Sequence, residues 1–497
     1  MLFNSYEFVF LFFPITAVLY FLIGHYSNRL GAAWLAGASL FFYGYWNPIY
    51  VPLLLASIAA NYLVGRSIAA AGSRKTRRLI LIAGLALNLL LLGYFKYVGF
   101  LATAANQLLA LHLPVLQVLL PLGISFFTFT QIAFLVDVYE GKAAEYRFVH
   151  YLLFVTFFPH LIAGPILHHK EMMPQFAKPR TYRVSATNLA VGLTIFFIGL
   201  CKKATIADSF APFVAHTFDA ARGGATPGLM EAWGGALAYT LQLYFDFSGY
   251  SDMAIGIARV FGIKMPINFL SPYKAVNIID FWRRWHMTLS RFLRQYLYIP
   301  LGGNRKGKSR RYLNLMITMV LGGLWHGAGW TFGAWGALHG LYLVANHAWH
   351  AISRALGLRP SASSRYSRAL ARLVTFASVV AGWVFFRADS LPSASRVLAG
   401  MVGLAGIAPT LAPTHWDRGF TYIGLGILCV WFGPNTHEIM ARYAPSLPFD
   451  RELSARGSAG WAIRWRQSVG WAYVTAAVAC IGLLYLGHIT EFLYFQF

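Results

Sequence analysis

A chain of 497 residues that is 58% hydrophobic and only 12% charged, with a mean hydropathy of +0.54, is too apolar to be a soluble protein with one buried core. The formal net charge of +24 comes from basic residues in short connectors between apolar segments, which is typical of membrane proteins and argues against a nucleic-acid partner. We therefore predict a protein of the lipid bilayer.

Apolar stretches approaching the roughly 20 residues needed to cross a bilayer recur along the whole chain. The clearest are 8–23, 79–92, 193–206, 313–324, 376–386 and 471–486. We count roughly eleven or twelve such segments, and no polar stretch is long enough for a separate soluble domain. The sequence predicts an all-α, polytopic transmembrane protein in which residues 1–497 form a single domain.

The basic connectors predict how the chain is oriented. The connector at 66–78 is the clearest cytoplasmic loop, and counting spans back from it places residues 1–7 outside the cytoplasm. Arg464 and Arg466 mark another cytoplasmic loop before the last apolar segment, which places residues 488–497 outside as well. Both termini are therefore predicted to be extracytoplasmic.

Asp246 lies in the aromatic run Tyr-Phe-Asp-Phe-Ser-Gly-Tyr-Ser-Asp at 244–252. A buried carboxylate needs a cationic or hydrogen-bonding partner, because its removal from water is costly. We expect Arg283 or Arg284 to supply that partner, so that Asp246 supports the site. None of the polar runs resembles a zinc site or a phosphate loop, and no metal is predicted.

Residues 280–296 combine apolar side chains near i, i+4 and i+8 spacing with several arginines. This pattern predicts an amphipathic helix at the cytoplasmic interface that carries His286. Arg283 and Arg284 either anchor the helix at the membrane surface or bind an anionic donor, such as the pyrophosphate of coenzyme A or the phosphopantetheine of a carrier protein.

The run Gly-Gly-Leu-Trp-His-Gly-Ala-Gly-Trp at 322–330 places His326 inside an apolar span. The glycines let backbones or a substrate approach closely, and Trp325 adds a flat wall. A neutral histidine can take a proton from a hydroxyl that attacks an acyl thioester and return it to the leaving thiol. The alternative is a structural histidine hydrogen-bonded between helices. We predict that His326 is catalytic.

Three functions fit a buried histidine and aspartate in a membrane protein. The first is an acyltransferase with His326 as the base. The second is a transporter or flippase that binds a solute or relays protons at mid-membrane. The third is a non-catalytic scaffold, a function that does not explain the glycines around the histidine. A transporter usually has two related halves, and the first half contains no counterpart of the Trp-His-Gly run.

These runs resemble those of the membrane-bound O-acyltransferase family, in its bacterial branch of alginate O-acetyltransferases, related to teichoic-acid D-alanyl transferase. The resemblance covers nearly the entire chain. It is carried by Phe-Pro-His-Leu-Ile-Ala-Gly-Pro at 158–165, the run at 244–252, Phe-Trp-Arg-Arg-Trp-His at 281–286, Trp-His-Gly at 325–327, Phe-Phe-Arg-Ala at 385–388 and Phe-Leu-Tyr-Phe-Gln-Phe at 492–497.

The resemblance implies a ring of helices around a thinned centre, in which a cytoplasmic donor tunnel and an external acceptor funnel meet at His326. It implies that His326 is catalytic and that His286 holds a second, more variable polar position. The implied reaction takes an acetyl group from acetyl-coenzyme A or an acyl-carrier thioester, with no tightly bound cofactor, to an exported polysaccharide. D-alanyl or lipid-directed transfer are the alternatives within the family.

The resemblance also implies a bacterial inner-membrane location and periplasmic acetyltransferase or polysaccharide-modification partners. The aromatic tail at 492–497 is similar to one that accompanies this bacterial branch. Tyr494 either folds back to accept the acyl group or docks a periplasmic protein. The alternative is that the tail is an interfacial aromatic belt.

Overall fold

The computed structural model describes residues 1–116, 118–143, 147–357, 364–407, 411, 416–447, 463–487 and 493. In these ranges the regular secondary structure is helical, and the β-type pairing found is an isolated bridge between Pro266 and Leu447. The predicted all-α class is confirmed.

The helices of the N-terminal half are α1 Phe13–Tyr26, α2 Asn28–Gly44, α3 Tyr50–Ala70, α4 Arg74–Leu92, α5 Val98–Leu109, α6 Ile124–Tyr139, α7 Phe148–Thr156, α8 Phe158–Leu161, α9 His169–Phe176, α10 Ala186–Cys201 and α11 Ala211–Arg222. They are followed by α12 Leu229–Val260, α13 Ile278–Trp282, α14 Met287–Leu293, α15 Gly307–His326, α16 Trp330–Ala355, α17 Arg365–Arg387, α18 Leu391–Met401, α19 Trp416–Phe432, α20 Thr436–Ile439 and α21 Val469–Leu484.

Shorter helical turns extend several of these helices. The π-helical turns are Glu7–Phe12, Gly93–Tyr97, Lys202–Ala207 and Arg294–Tyr298, and the 3₁₀ turns are Pro179–Tyr182, Asp208–Phe210, Pro272–Lys274, Ala441–Tyr443 and Tyr485–Gly487. Local sequence also sets where helices begin. Serine side chains accept a backbone N–H bond at the start of α2, α4, α10, α18 and α21, which satisfies a donor that the helix itself leaves unpaired.

Six helical stretches among the described residues are long and apolar enough to cross a membrane. They are Glu7–Tyr26, Tyr50–Ala70, Arg74–Leu109, Ala186–Arg222, Arg365–Arg387 and Val469–Gly487. A polytopic membrane protein is therefore confirmed, but this number is below the roughly eleven or twelve segments predicted. The difference arises from helices such as α6, which has only 16 residues, and α12, whose buried middle carries Asp246 and Asp252.

Helix α12 is the central helix of the protein, since most side chains along its 32 residues are buried. It packs against α10, α11, α17, α18 and α19. Glycines bring α10 and α12 into backbone contact: a Cβ on Gly192 would lie 2.6 Å from the carbonyl oxygen of Gly256, and one on Gly199 would lie 2.5 Å from that of Gly249. The backbone of α12 is thus fixed against α10 at two points.

Candidate active site

His326 is the last residue of α15 and is 5% exposed. The chain turns sharply over 327–329, and α16 begins at Trp330. The predicted continuous apolar span through His326 is therefore two helices joined at the histidine. The turn depends on Gly327, because a Cβ there would lie 2.1 Å from the Phe332 ring.

The glycines around His326 serve mainly to let α15 and α16 approach. A Cβ on Gly323 would lie 2.2 Å from the Phe332 carbonyl oxygen, and one on Gly336 would lie 2.4 Å from that of Met319. Added carbon atoms at these distances require the helices to separate. The sequence left open whether the glycines of the His326 run admit backbone or substrate, and at Gly323 the structure shows backbone; Gly336 was not among the glycines predicted.

Aromatic rings enclose the His326 imidazole. Its centroid lies 5.0 Å from that of Trp325, 5.3 Å from that of Trp335 and 5.2 Å from that of Phe386. Trp325, predicted as a wall, is itself stacked on Phe129 at 5.0 Å. Phe386 belongs to the Phe-Phe-Arg-Ala run that the sequence singled out. Trp335 was not predicted from the sequence, because the direction of its side chain depends on how α16 folds back on α15.

His286 lies close to His326, with ring centroids 6.1 Å apart, and its side chain is fully buried. The predicted single amphipathic helix is wrong, because α13 ends before His286 and α14 begins after it. His286 has a φ of 42°, a left-handed conformation that is unfavourable for residues other than glycine. The structure therefore brings together the two histidines named from the sequence.

Asn268 holds His286 in this conformation. Its Oδ1 lies 3.1 Å from Nδ1 of His286 and accepts hydrogen bonds from the backbone N–H and the hydroxyl of Thr288. Its carbonyl oxygen accepts the Met287 N–H at 2.9 Å. The side chain and backbone of Asn268 thus together hold the left-handed backbone conformation at His286. No local sequence pattern points to Asn268, because it precedes His286 by a loop and a helix.

The predicted pairing of Asp246 with Arg283 or Arg284 is wrong. Asp246 is 1% exposed and forms an ion pair with Lys203, whose Nζ lies 2.8 Å from Oδ1. Lys203 also binds Asp208 at 2.7 Å. Arg284 instead pairs with Asp280 at 2.8 Å, and Arg283 is exposed. The lysine follows an apolar helix directly in sequence, and it reaches Asp246 because α10 and α12 pack together.

Two cavities lie along α15. One, of about 450 Å³, is lined by His326, Trp325 and Lys96 together with residues 119–126. The other, of about 680 Å³, is lined by four arginines, with Leu293 and Met319 also in its wall. These arginines are Arg283, Arg294, Arg305 and Arg311.

Within the described part of the chain the two cavities share no lining residue. Met319 in the second cavity and His326 in the first are separated by two turns of α15, or about 10 Å along the helix axis. Leu293 closes against α15 between them, since a Cβ on Gly322 would lie 3.0 Å from its Cδ1. The histidine thus opens to one cavity, with the basic cavity further along the same helix.

Tyr494, the predicted acyl relay or docking residue, lies outside the described residues. The residue before it, Leu493, is 8% exposed, and its backbone N–H donates to Oδ2 of Asp246 at 3.3 Å. The chain at Leu493 therefore contacts the central helix α12. The residue after Asp246 on that helix is Phe247, and its ring contacts the His286 ring, with the two centroids 4.9 Å apart.

The arrangement offers two neighbouring imidazoles in a water-poor, aromatic environment that opens to a cavity. Imidazole exchanges protons near neutral pH, and an enclosed site strengthens the electrostatic effect of each nearby charge. Such a pair suits general acid–base transfer between a hydroxyl and a thiol. In the described ranges, no group of three or more His, Cys, Asp and Glu residues is placed to hold a metal ion.

Comparison with known proteins agrees with this chemistry. The family model described as MBOAT, membrane-bound O-acyltransferase family, matches residues 100–378, which include both histidines. A peptidoglycan O-acetyltransferase of Helicobacter pylori is 47% identical over 436 residues, covering 82% of this chain and 81% of the relative.

Two further relatives extend the comparison. A probable alginate O-acetylase of Pseudomonas aeruginosa is 44% identical over 408 residues, covering 81% of this chain and 75% of the relative. A teichoic acid D-alanyltransferase of Streptococcus thermophilus is 29% identical over 286 residues, covering 53% of this chain and 68% of the relative. The chain belongs to the membrane-bound O-acyltransferase family and is an O-acyltransferase of the membrane.

Proposed function

We propose that this protein transfers an acetyl group from a cytoplasmic thioester, across the membrane, to an exported polysaccharide. The observation that carries the proposal is the position of His326, which is buried among aromatic rings, lines one cavity and lies two helical turns from a basic cavity. The names of the relatives at 47% and 44% identity, which refer to peptidoglycan and alginate, support acetyl transfer to a polysaccharide.

In the proposed reaction the acceptor hydroxyl attacks the thioester carbonyl carbon while His326 takes its proton. The carbon–sulfur bond then breaks, and the imidazolium returns the proton to the leaving sulfur, which gives an acetyl ester and a free thiol. His286 lies 6.1 Å from His326 between ring centroids and is the second proposed catalytic residue. Its anchoring by Asn268 keeps it beside His326 during the cycle.

The basic cavity is the proposed donor site. Acetyl-coenzyme A carries a pyrophosphate, and an acyl-carrier protein carries a phosphopantetheine, and arginines bind both through paired N–H donors. Arg283 keeps the donor-binding role predicted for it, because it lines this cavity. The salt bridge of Arg284 to Asp280 supports a structural role for that residue instead.

The cavity that contains His326 is the proposed acceptor side. Met1 and Leu2, which line it together with Trp46, belong to residues 1–7, which the charge distribution assigns to the outside. We place the protein in the bacterial inner membrane with both termini extracytoplasmic. A periplasmic acetyltransferase or another polysaccharide-modification protein is the proposed partner that receives or presents the acceptor.

An assay in membrane vesicles of defined orientation tests the proposed direction of transfer. Labelled acetyl-coenzyme A, or the labelled acyl-carrier thioester, is supplied to one face at a time. We expect covalent acetyl label on acceptor or protein only when the donor reaches the cytoplasmic face.

The same assay tests the donor cavity. Replacing Arg294 or Arg305 by glutamine removes a charged donor of hydrogen bonds, and we expect a roughly tenfold higher donor concentration at half-maximal rate. Arg418→Gln, an exposed arginine outside the cavity, is the matched control and is expected to leave that concentration unchanged. Equal labelling from both faces contradicts the proposed direction, and an unchanged donor concentration in both cavity variants contradicts the donor site.

The C-terminal tail is the proposed route to the acceptor, with Tyr494 either accepting the acyl group or docking the partner. The contact of Leu493, the residue before Tyr494, with Asp246 supports this, because it places Leu493 against α12, the helix whose Phe247 contacts the His286 ring. We expect Tyr494→Phe to reduce polysaccharide acetylation at least tenfold while the protein remains as abundant as the wild type. Tyr473→Phe, at an exposed tyrosine of α21, is the control, and wild-type acetylation in Tyr494→Phe rules out an acylated tyrosine.

A further inference from the structure

The π-helical turn Gly93–Tyr97 contacts the end of α15 through two consecutive side chains. The hydroxyl of Tyr97 donates to the carbonyl oxygen of Leu324 at 2.9 Å. The ammonium group of Lys96 donates to the carbonyl oxygens of Trp325 at 2.5 Å and His326 at 3.0 Å. Two side chains therefore bind the last three carbonyl groups of the helix that carries His326.

These carbonyl groups need partners from outside the helix. The last carbonyls of an α-helix have no intrahelical N–H donor, and they form the negative end of the helix dipole. At the end of α15 the chain continues in an extended conformation through Gly327, with a φ of −152°, and His326 is buried. Lys96 and Tyr97 supply these hydrogen bonds in place of water.

Lys96 also belongs to the cavity that His326 lines. Its ammonium group lies 3.4 Å from the Ser125 hydroxyl and 5.9 Å from the centroid of the Trp325 ring. The same side chain thus contacts the backbone of the histidine, the aromatic wall beside it and α6 across the cavity. A displacement of Lys96 would therefore alter its contacts with the backbone of His326, the Trp325 ring and Ser125 of α6.

We propose that Lys96 and Tyr97 are positioning residues for acyl transfer, which cap the end of α15 and hold the His326 imidazole in its reactive geometry. The proposal rests on the proposed role of His326. A π-helical turn is a rare geometry that frequently occurs at functional sites, and here it is the segment that presents the two neighbouring side chains to one helix end. Both residues bind backbone carbonyl oxygens at the end of α15, so their proposed effect acts through the position of His326.

Lys96→Met tests the proposal, because methionine fills similar space and has no hydrogen-bond donor. Since a misplacement of about 1 Å costs on the order of a hundredfold in rate, we expect turnover to fall roughly a hundredfold. The donor concentration at half-maximal rate should stay within about twofold of wild type, because the basic cavity is unchanged. Lys96→Arg, which retains N–H donors at this position, should recover part of the turnover.

Lys75→Met, at an exposed lysine in the first turn of α4, is the matched control for a lysine-to-methionine change away from the site. Membrane abundance and the midpoint of thermal unfolding in detergent are measured for every variant. If Lys96→Met does not accumulate, Tyr97→Phe carries the test, since it removes one donor and keeps the ring. Wild-type turnover in the accumulating variant overturns the proposal, as does a loss fully explained by the amount of folded protein.

The effect of His326→Ala is measured in parallel, so that the positioning role of Lys96 and Tyr97 and the catalytic role of His326 can be rejected independently. An inactive His326→Ala with a fully active Lys96→Met rejects only the positioning role. An active His326→Ala rejects the proposed role of His326 as the base, on which the positioning role rests.

Discussion

Replacing His326 by alanine is expected to abolish acyl transfer, with turnover lower by about 10²- to 10⁴-fold, the usual contribution of a general acid–base group. The imidazole is the titratable side chain that both lines the cavity and lies among Trp325, Trp335 and Phe386. Without it, the attacking hydroxyl has to release its proton unaided. Transfer of labelled acetyl to acceptor, expressed per folded molecule in the membrane, measures the effect.

His339→Ala is the matched control for this experiment. His339 is also fully buried and contacts Trp335, with ring centroids 4.9 Å apart, but it lines neither of the two cavities described. Its loss is expected to lower stability and to leave turnover per folded molecule within a few-fold of wild type. If His326→Ala retains a tenth or more of wild-type turnover, or if both variants lose turnover equally, His326 is not the base.

The parts of the site that sequence predicted are those specified by neighbouring residues. The run around His326 is contiguous, so its glycines, Trp325 and the histidine could be recognised without knowing the fold. The helices themselves were predicted from apolar stretches, which are also local signals. The family resemblance rested on the same short runs, and the comparisons confirm it.

The parts that sequence did not predict depend on packing between distant segments. The break at His286 is stabilised by Asn268, which no periodicity within 280–296 could reveal. Lys203 and Lys96 each adjoin an apolar helix, and no local pattern in the sequence singles them out. Each binds specific partners, Lys203 because α10 meets α12 and Lys96 because the turn at Gly93–Tyr97 meets α15.

Lys203→Met is expected to destabilise the protein by about 3–5 kcal/mol, the cost of removing one partner from a buried ion pair. Lys203 is 2% exposed and binds the carboxylates of Asp208 at 2.7 Å and Asp246 at 2.8 Å. Without the ammonium group, two carboxylates lie near each other in a poorly solvated interior. The midpoint of thermal unfolding in detergent should fall well below that of the wild type.

Lys142→Met provides the contrast, because Lys142 pairs with Glu140 where the side chains are 59% and 44% exposed. An exposed pair of this kind contributes at most about 1 kcal/mol, so the midpoint should hardly move. Adding Asp246→Asn to Lys203→Met removes one of the two buried charges and should restore part of the lost stability. Equal midpoints for Lys203→Met and Lys142→Met would show that the buried pair contributes no more than the surface pair. The acyl transfer rate per folded molecule of Lys203→Met is measured as well. An unchanged rate indicates a purely structural role, and a lower rate indicates a role that extends to the C-terminal tail, because Asp246 also accepts the backbone N–H of Leu493.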